Sequence, residues 1–417
     1  MRFFVFQFGR VAQSCHTHKV PSTDPLTIGA ARRWTILVTS FLAQAASAIT
    51  AHGPAFLIPA LHQRQGMSLA EAGVIAAAPT VGVMATLIAW GAIVDRRGER
   101  FALLAGLTGT AACTALAASS DNDWLLGGAL FLAGACAAST NVASGRVVVG
   151  WFPAHRRGLA MGIRQMAQPV GVGVAAVTIA VVASNHGIAA ALWFPAAAAA
   201  LALLLVTLVV IDPPRKPHPE GGAPNPYAGN AFLWRIHGVS VLLVVPQFLV
   251  WTFALVWLTS ERGWNAGVAG ALVAAAQIVG ALGRIAVGQL SDMVGSRMRP
   301  LRWVAVTAAI TMAVLGLTDQ WPIAVVVMVL ATGVTVADNG LAFTAVAERA
   351  GAYWSGRALG IQNTAQFLTA AAVPPIAGLA IAHSSYALVF GLGALFPVMA
   401  APLVPVRGES SAPARQI

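Results

Sequence analysis

Twelve stretches of this chain are apolar over about 20 residues, the length a helix needs to cross a bilayer core. They fall roughly at 34–59, 70–93, 101–119, 125–150, 159–182, 188–211, 239–260, 267–290, 303–318, 322–347, 358–382 and 385–405. Within a bilayer every backbone N–H and C=O must find a partner inside the protein, so uninterrupted apolar runs of this length predict helices. Strands of a membrane barrel would alternate apolar and polar residues instead. With 58% hydrophobic and only 9% charged residues, the composition excludes a water-soluble fold. The expected fold class is an all-α membrane protein with twelve transmembrane helices.

The chain is internally duplicated. Gly91-Ala92-Ile93-Val94-Asp95-Arg96-Arg97-Gly98-Glu99-Arg100 has a counterpart 197 residues on, Gly288-Gln289-Leu290-Ser291-Asp292-Met293-Val294-Gly295-Ser296-Arg297. Gly162-Ile163-Arg164-Gln165-Met166-Ala167-Gln168 is echoed 198 residues later by Gly360-Ile361-Gln362-Asn363-Thr364-Ala365-Gln366. Between the sixth and seventh apolar runs lies a stretch with Pro213, Pro214, Pro217, Pro219, Pro224 and Pro226, which cannot be a span and reads as a linker. An even number of spans per half gives both halves one orientation, related by an axis along the membrane normal. The expected organisation is a tail over 1–33, a six-helix bundle over 34–211, a linker over 212–238, a second six-helix bundle over 239–405 and a tail over 406–417, with a cavity between the bundles. Such duplication is what transporters with a site between two moving halves are built from.

The net charge of +11 does not imply a nucleic-acid partner, because of where the charges lie. With a cytoplasmic N-terminus, 20 of the 25 Lys and Arg residues fall on the cytoplasmic side. That is the positive-inside pattern; it places both termini in the cytoplasm and the chain in the plasma (inner) membrane. Cys15, Cys113 and Cys136 are too scattered for a disulfide framework or a metal cluster, and no cofactor is expected.

Ionisable residues inside a span are costly and point to function. Arg146, Arg164 and Arg284 are the bases, Asp338 is the acid, and His52 lies in the outer half of the first span. Gln277, Gly280, Arg284 and Gly288 share one helix face. Arg284 either grips an anion, a task for which the planar guanidinium fork is suited, or snorkels to the headgroups. Arg164 shares a face with Gln168, and the repeat places Gln362 and Gln366 at the equivalent positions, so the four suggest facing cavity walls; for Arg164 snorkelling is again the rival. Asp338 either carries a proton or pairs permanently with a buried arginine. His52, beside Gly53 and Pro54, is either a titrating switch or the polar partner of a helix kink. Asp95 closes a helix at its negative end, an unfavourable place unless something positive approaches. It reads either as one part of a gate or as part of a solvated turn whose arginines set topology.

On these residues the chain resembles the major facilitator superfamily over about residues 34–405. That family carries a Gly-x-x-x-Asp-(Arg/x)-x-Gly-x-(Arg/Lys) loop after its second and eighth helices. Gly91, Asp95, Arg96, Gly98 and Arg100 match it in the first half; Gly288, Asp292, Gly295 and Arg297 match in the second, where Met293 replaces the basic residue. The resemblance implies that these loops latch the cytoplasmic side in the outward-open state. The segment Trp151 to Ile163, with Arg164 and Gln165, is similar to cyanate-permease-like anion transporters. Arg284, four residues before Gly288, is similar to the helix-eight arginine that binds carboxylate in monocarboxylate and oxalate transporters. Two departures weigh against a multidrug antiporter: Leu130 stands where such exporters have an Arg four residues before Gly134, and the fifth helix reads Gln168-Pro169-Val170-Gly171 without their Gly-Pro pair.

The expected function is secondary active transport by alternating access, proton-coupled, of a small organic or inorganic anion. Arg284, Arg164, Gln168, Gln277, Gln362 and Gln366 would bind substrate, and Asp338 and His52 would couple the proton. The expected partners are the anionic substrate, the proton and the bilayer, with the protein acting as a monomer. Efflux of amphipathic drugs by proton antiport and a non-transporting receptor on the same fold are the alternatives. The sequence shows no phosphate-binding loop of the Gly-x-x-x-x-Gly-Lys-(Ser/Thr) type and no grouping of nucleophile and base, so an enzyme is not expected.

Overall fold

A computed structural model describes residues 28–214, 223–229 and 231–409. Most of the tail expected over 1–33, part of the linker and the end of the C-terminal tail therefore lie outside the described residues. Among the described residues there is no strand, and eleven helices are long and apolar enough to cross a membrane. One of these, Ala154–Val209, runs for 56 residues and turns at Gly187, whose φ of 89° and ψ of 173° suit glycine alone. Divided there, the described residues hold twelve spans.

These are α1 Ala30–Gln63, α2 Ala70–Arg97, α3 Glu99–Ala118, α4 Asp123–Trp151, α5 and α6 on either side of Gly187, α7 Phe232–Glu261, α8 Gly267–Val294, α9 Met298–Leu317, α10 Ile323–Ala350, α11 Ser355–His383 and α12 Tyr386–Gly408. Side chains fix several helix starts at the ends away from the doubled loops. Ser68 and Glu71 form a reciprocal capping box ahead of α2. Asn122 caps α4 and Asn265 caps α8. α7 begins at Phe232, inside the stretch expected to be linker. The prolines that mark the linker end at Pro226, before this helix. In the structure Arg235 donates to the Leu403 and Pro402 carbonyls, and His237 is buried against Tyr227 and Gln362.

Lipid offers helices no hydrophobic drive to associate, so they pack by close approach of small residues. Gly82 of α2 and Gly134 of α4 lie against each other's backbones, at Phe131 and Pro79 respectively. Gly171 of α5 lies against Ala45 of α1, whereas Gly173 faces open space. Large apolar side chains such as Val74, Leu208, Ile278 and Leu317 remain exposed, as a lipid-facing surface requires.

Three spans are interrupted where the site lies, one of them α5 at Met166, between Arg164 and Gln168. α1 passes through a 3-10 turn at Gly53–Leu57, and Thr80 Oγ1 donates to the Ala51 carbonyl at 3.0 Å beside it. α10 breaks at Val336–Ala337, between helical segments ending at Thr335 and beginning at Asp338. A break inside the membrane is tolerated where the freed backbone groups are taken up by other partners.

Contact between the halves is concentrated near the doubled loops, where α2 meets α11 and α5 meets α8. Gly91 and Gly356 face each other there, as do Gly158 and Gly288. Gly162 abuts the Arg284 carbonyl, and Gly360 abuts that of Leu87.

Candidate functional site

Two regions between the halves carry polar chemistry. The first is at the doubled loops. Asp95, at the end of α2, is buried, and its carboxylate accepts hydrogen bonds from the backbone N–H groups of Gly356 (2.7 Å) and Arg357 (2.9 Å), at the start of α11 in the other half. It also pairs with Arg146 of its own half at 3.0 Å and with Arg357 at 3.1 Å. Asp292, at the end of α8, does the same to the start of α5, accepting from Gly158 N (3.0 Å) and Leu159 N (2.9 Å). Its ion-pair partner is Arg297, at 2.6 Å. The positive end of a helix dipole with free N–H groups is where an anionic side chain is most stabilised. Each acid ends one helix and caps another from the opposite half.

The other motif residues divide by role. Arg297 also crosses between halves, donating to the Ala154 carbonyl, and Glu348 joins it to Arg157. Gly98 (φ 102°) and Gly295 (φ 65°) are turns that only glycine makes without strain. Arg96 is exposed and Arg100 stays within its own half, donating to the Thr207 carbonyl at 3.0 Å. The Arg100 backbone N–H donates to Asp212, and the Arg297 backbone N–H donates to Glu409. Asp212 and Glu409 are themselves 197 residues apart, a correspondence that lies outside the repeated motif.

The second region is a cavity between the halves, beyond the contacts just described. Arg164 and Arg284 line it together with Gln168 and Gln366. Arg164 is buried; its Nε donates to Ser144 Oγ at 2.9 Å, its other nitrogens reach Asn141 O and Gln165 Oε1, and its guanidinium lies 5.7 Å from the ring centre of Phe343 in the other half. Arg284 is buried as well. Its Nε donates to Val336 O (3.2 Å), a carbonyl at the break of α10, and its Nη1 crosses the halves to Gln165 O at 2.7 Å. Among the described residues neither arginine has a carboxylate within 4 Å.

Asp338 stands at the start of the second segment of α10, almost fully buried and electrostatically coupled to Arg284 without an ion pair. Its oxygens have no partner among the described side chains; only the N–H groups of Asp338 and Asn339 approach them. His52, at the break of α1, shares a hydrogen bond with Gln168 at 3.3 Å.

Two residues expected at the cavity lie elsewhere. Gln362 faces the interior of the second half, held by His237 and Ser240. Gln277 is half-buried on α8 and is not among the lining residues. The lining instead includes Gln44, Asn141, Gln247 and Asn363, uncharged residues outside the sequence expectation, and an aromatic wall of Phe248, Trp251, Phe343 and Phe367. The signal for two of the amides was available, since Asn141 and Asn339 are 198 residues apart, the offset of the second echo.

The family model described as Major Facilitator Superfamily matches residues 36–374. An uncharacterized MFS-type transporter of Mycobacterium tuberculosis (strain H37Rv) is 46% identical over 391 residues, covering 93% of this chain and 87% of that protein. Among solved structures, FucP in the outward conformation superposes with a TM-score of 0.71 at 15% identity, covering 90% of this chain and 99% of that one. The proton:xylose symporter XylE gives 0.70 at 17% identity, covering 90% and 95%. The human organic anion transporter MFSD10 gives 0.67 at 16%, covering 89% and 99%. At such identities the structural likeness speaks for the fold. The chain belongs to the major facilitator superfamily and is a multi-pass membrane transporter of that family.

Proposed function

We propose that this transporter is a secondary active carrier of a small organic anion, coupled to protons. The observation that carries the reading is the pair of buried arginines, Arg164 and Arg284, lining one cavity with no carboxylate in ion-pairing distance among the described residues. Burying a charge unpaired is expensive. Two guanidiniums held by carbonyls, a hydroxyl and an amide form an electropositive pocket whose natural complement is an anion. Arg164 belongs to the first half and Arg284 to the second, so one bound anion would tie the halves together.

Alternating access then follows by rocking of residues 34–211 against 239–405. The Asp95 and Asp292 contacts latch the basic face, which the positive-inside pattern assigns to the cytoplasm of a plasma (inner) membrane. With that face latched, the cavity serves the outside. Asp338 is the proton carrier: it lies close enough to Arg284 to feel its charge, so its carboxylate and a bound anion compete for Arg284, and protonation of Asp338 and anion binding favour each other. His52, bonded to Gln168 on the other wall, is the secondary candidate. Arg284, Arg164, Gln168 and Gln366 are the binding residues of this reading, in the manner of the anion-transporting branches of the family. Efflux of amphipathic compounds draws on the aromatic wall and is the competing reading.

A thermal-shift screen of the detergent-purified protein tests the reading, because a ligand of the folded state raises its apparent stability. Carboxylates should stabilise the wild type and leave Arg284→Ala unmoved. Stabilisation by lipophilic cations alone, equal in both, would overturn it in favour of efflux. Asp338→Asn should abolish uphill uptake driven by a pH gradient in proteoliposomes while retaining substrate counterflow. Retained uphill uptake would remove Asp338 from the coupling mechanism.

A further inference from the structure

The polar lining of the cavity contains far more than is needed to hold a simple anion. Besides the two arginines and the Gln165 and Gln168 amides of α5, side-chain amides reach it from five further helices: Gln44, Asn141, Gln247, Asn339, Asn363 and Gln366. Five of these six are bonded to one another, as a pair in the first half and a chain of three in the second. Gln44 Nε2 donates to Asn141 Oδ1 at 2.9 Å in the first half; Asn339 Nδ2 donates to Gln247 Oε1 at 3.1 Å in the second, and Gln366 Nε2 donates to Asn339 Oδ1 at 2.9 Å. A side-chain amide offers two donors and a carbonyl with two lone pairs. Whichever way each amide is turned, bonding two of them to each other leaves donors and acceptors of both kinds unspent. Asn363, whose Nδ2 is taken by the Leu359 carbonyl at 2.8 Å, presents its Oδ1.

This mixture discriminates between ligand classes. An inorganic anion such as nitrate or cyanate accepts hydrogen bonds only, and it would leave the amide carbonyls facing negative charge. A lipophilic cation would leave two guanidiniums and the amides without partners, and buried polar groups without partners are costly. A hydroxyl donates and accepts at once, so an amide pair satisfies it on both counts. The aromatic wall completes the set. Phe248 and Trp251 stand with ring centres 5.3 Å apart on α7, beside Phe367 of α11, and offer an apolar face to C–H groups.

We infer that the substrate is a polyhydroxylated carboxylate, a sugar acid or its like, whose carboxylate lies at Arg164 and Arg284 and whose hydroxyls lie on the paired amides. The inference deepens the anion reading and rests on it. A site built to hydrogen-bond substrate hydroxyls rejects analogues lacking them strongly, because its own polar groups are then stranded.

The test is direct binding to the purified protein of four probes at matched concentration: glucuronate, gluconate, glucose and hexanoate. Glucuronate or gluconate should bind at least tenfold more tightly than glucose, which lacks the charge, and than hexanoate, which lacks the hydroxyls. In Gln247→Leu that preference over hexanoate should fall by tenfold or more, with hexanoate binding unchanged, a readout that misfolding would not reproduce. Hexanoate binding as well as the sugar acids would overturn the hydroxyl inference and leave the anion reading standing. Glucose binding as well as glucuronate, insensitive to Arg284→Ala, would overturn the anion reading and the inference with it.

Discussion

The latch and the cavity lie on the same interface but differ in how they treat the repeat. At the latch the two halves match. Asp95 and Asp292 each cap the cross-half helix, at Gly356 and Gly158, and glycine meets glycine in both places. At the cavity some amides match, Asn141 with Asn339 and Gln168 with Gln366, but Gln44 and Gln247 have no amide counterpart and the charges do not match. The counterpart of Arg284 is Leu87, that of Arg164 is Gln362, and that of Asp338 is Thr140. A rocking device needs two equivalent contact surfaces that close together, and duplication supplies them. A substrate has no twofold axis, so the groups that would read its charge stand where the repeat has been broken.

The largest expected effect concerns the way in which the two latches differ. Among the described residues Asp95 pairs across the halves with Arg357 as well as with Arg146 of its own half, whereas Arg297, the partner of Asp292, lies in the same half as that acid. Removing one member of a buried ion pair costs about 3–5 kcal/mol. Here the part that crosses the halves, Asp95 with Arg357 and with the Gly356 N–H, is present in the latched state alone. Asp95→Ala should therefore shift the equilibrium toward the unlatched state by more than about a hundredfold, and Asp292→Ala by less. Spin-label distances between positions 96 and 293, both exposed, would report the shift. Unchanged distance distributions in Asp95→Ala would mean that the latch does not hold the halves.

The same contrast explains what could be read from the sequence. The spans were legible because the bilayer permits a helix or a closed barrel and little else, and the latch motif because it occurs twice. Arg164 and Arg284 stood out because charge within a span is rare, and both reach the cavity. The amides were not legible. Gln44 and Asn141 lie on helices that are apolar on nearly every side, so no stripe indicates which residues turn inward. Gln277 shares a face with Arg284, yet the cavity ends before reaching it. Gln362 occupies the position of Arg164 in the repeat, but His237 holds it within the second half. A repeat copies backbone position; the neighbours that decide where a side chain points are not copied with it.

Glycine contacts give a smaller and more symmetric effect. A methyl added at Gly356 would stand 2.6 Å from Asp95 Oδ1 and against the Gly91 carbonyl; one at Gly158 would stand 2.5 Å from Ser291 Oγ and against the Gly288 carbonyl. Overpacking of this kind costs about 1–3 kcal/mol, and again only when the latch is closed. Gly356→Ala and Gly158→Ala should each raise, by about tenfold, the rate at which a cysteine introduced at Asn363 is labelled from the basic face. Rates that stay at the wild-type value would show that the interface yields without opening.

The smallest effect tests whether the matched positions behave alike energetically as well as geometrically. Asp212, just after α6, accepts from Arg100 N at 2.8 Å at the start of α3. Glu409, just after α12, accepts from Ser296 Oγ at 2.5 Å, from Arg297 N and from Met298 N at 3.3 Å at the start of α9. Each carboxylate closes its half by capping the third helix of that half, where an acid is worth about 1 kcal/mol. Asp212→Ala and Glu409→Ala should lower the midpoint of thermal unfolding by similar amounts, and neither should change the latch distances, because both contacts stay within one half. A loss confined to Glu409, which has the fuller set of donors, would mean that the two caps are equivalent in place but not in strength. A change in latch distances from either would tie the ends of the bundles to the gate, and the separation drawn between gate and scaffold would then have to be given up.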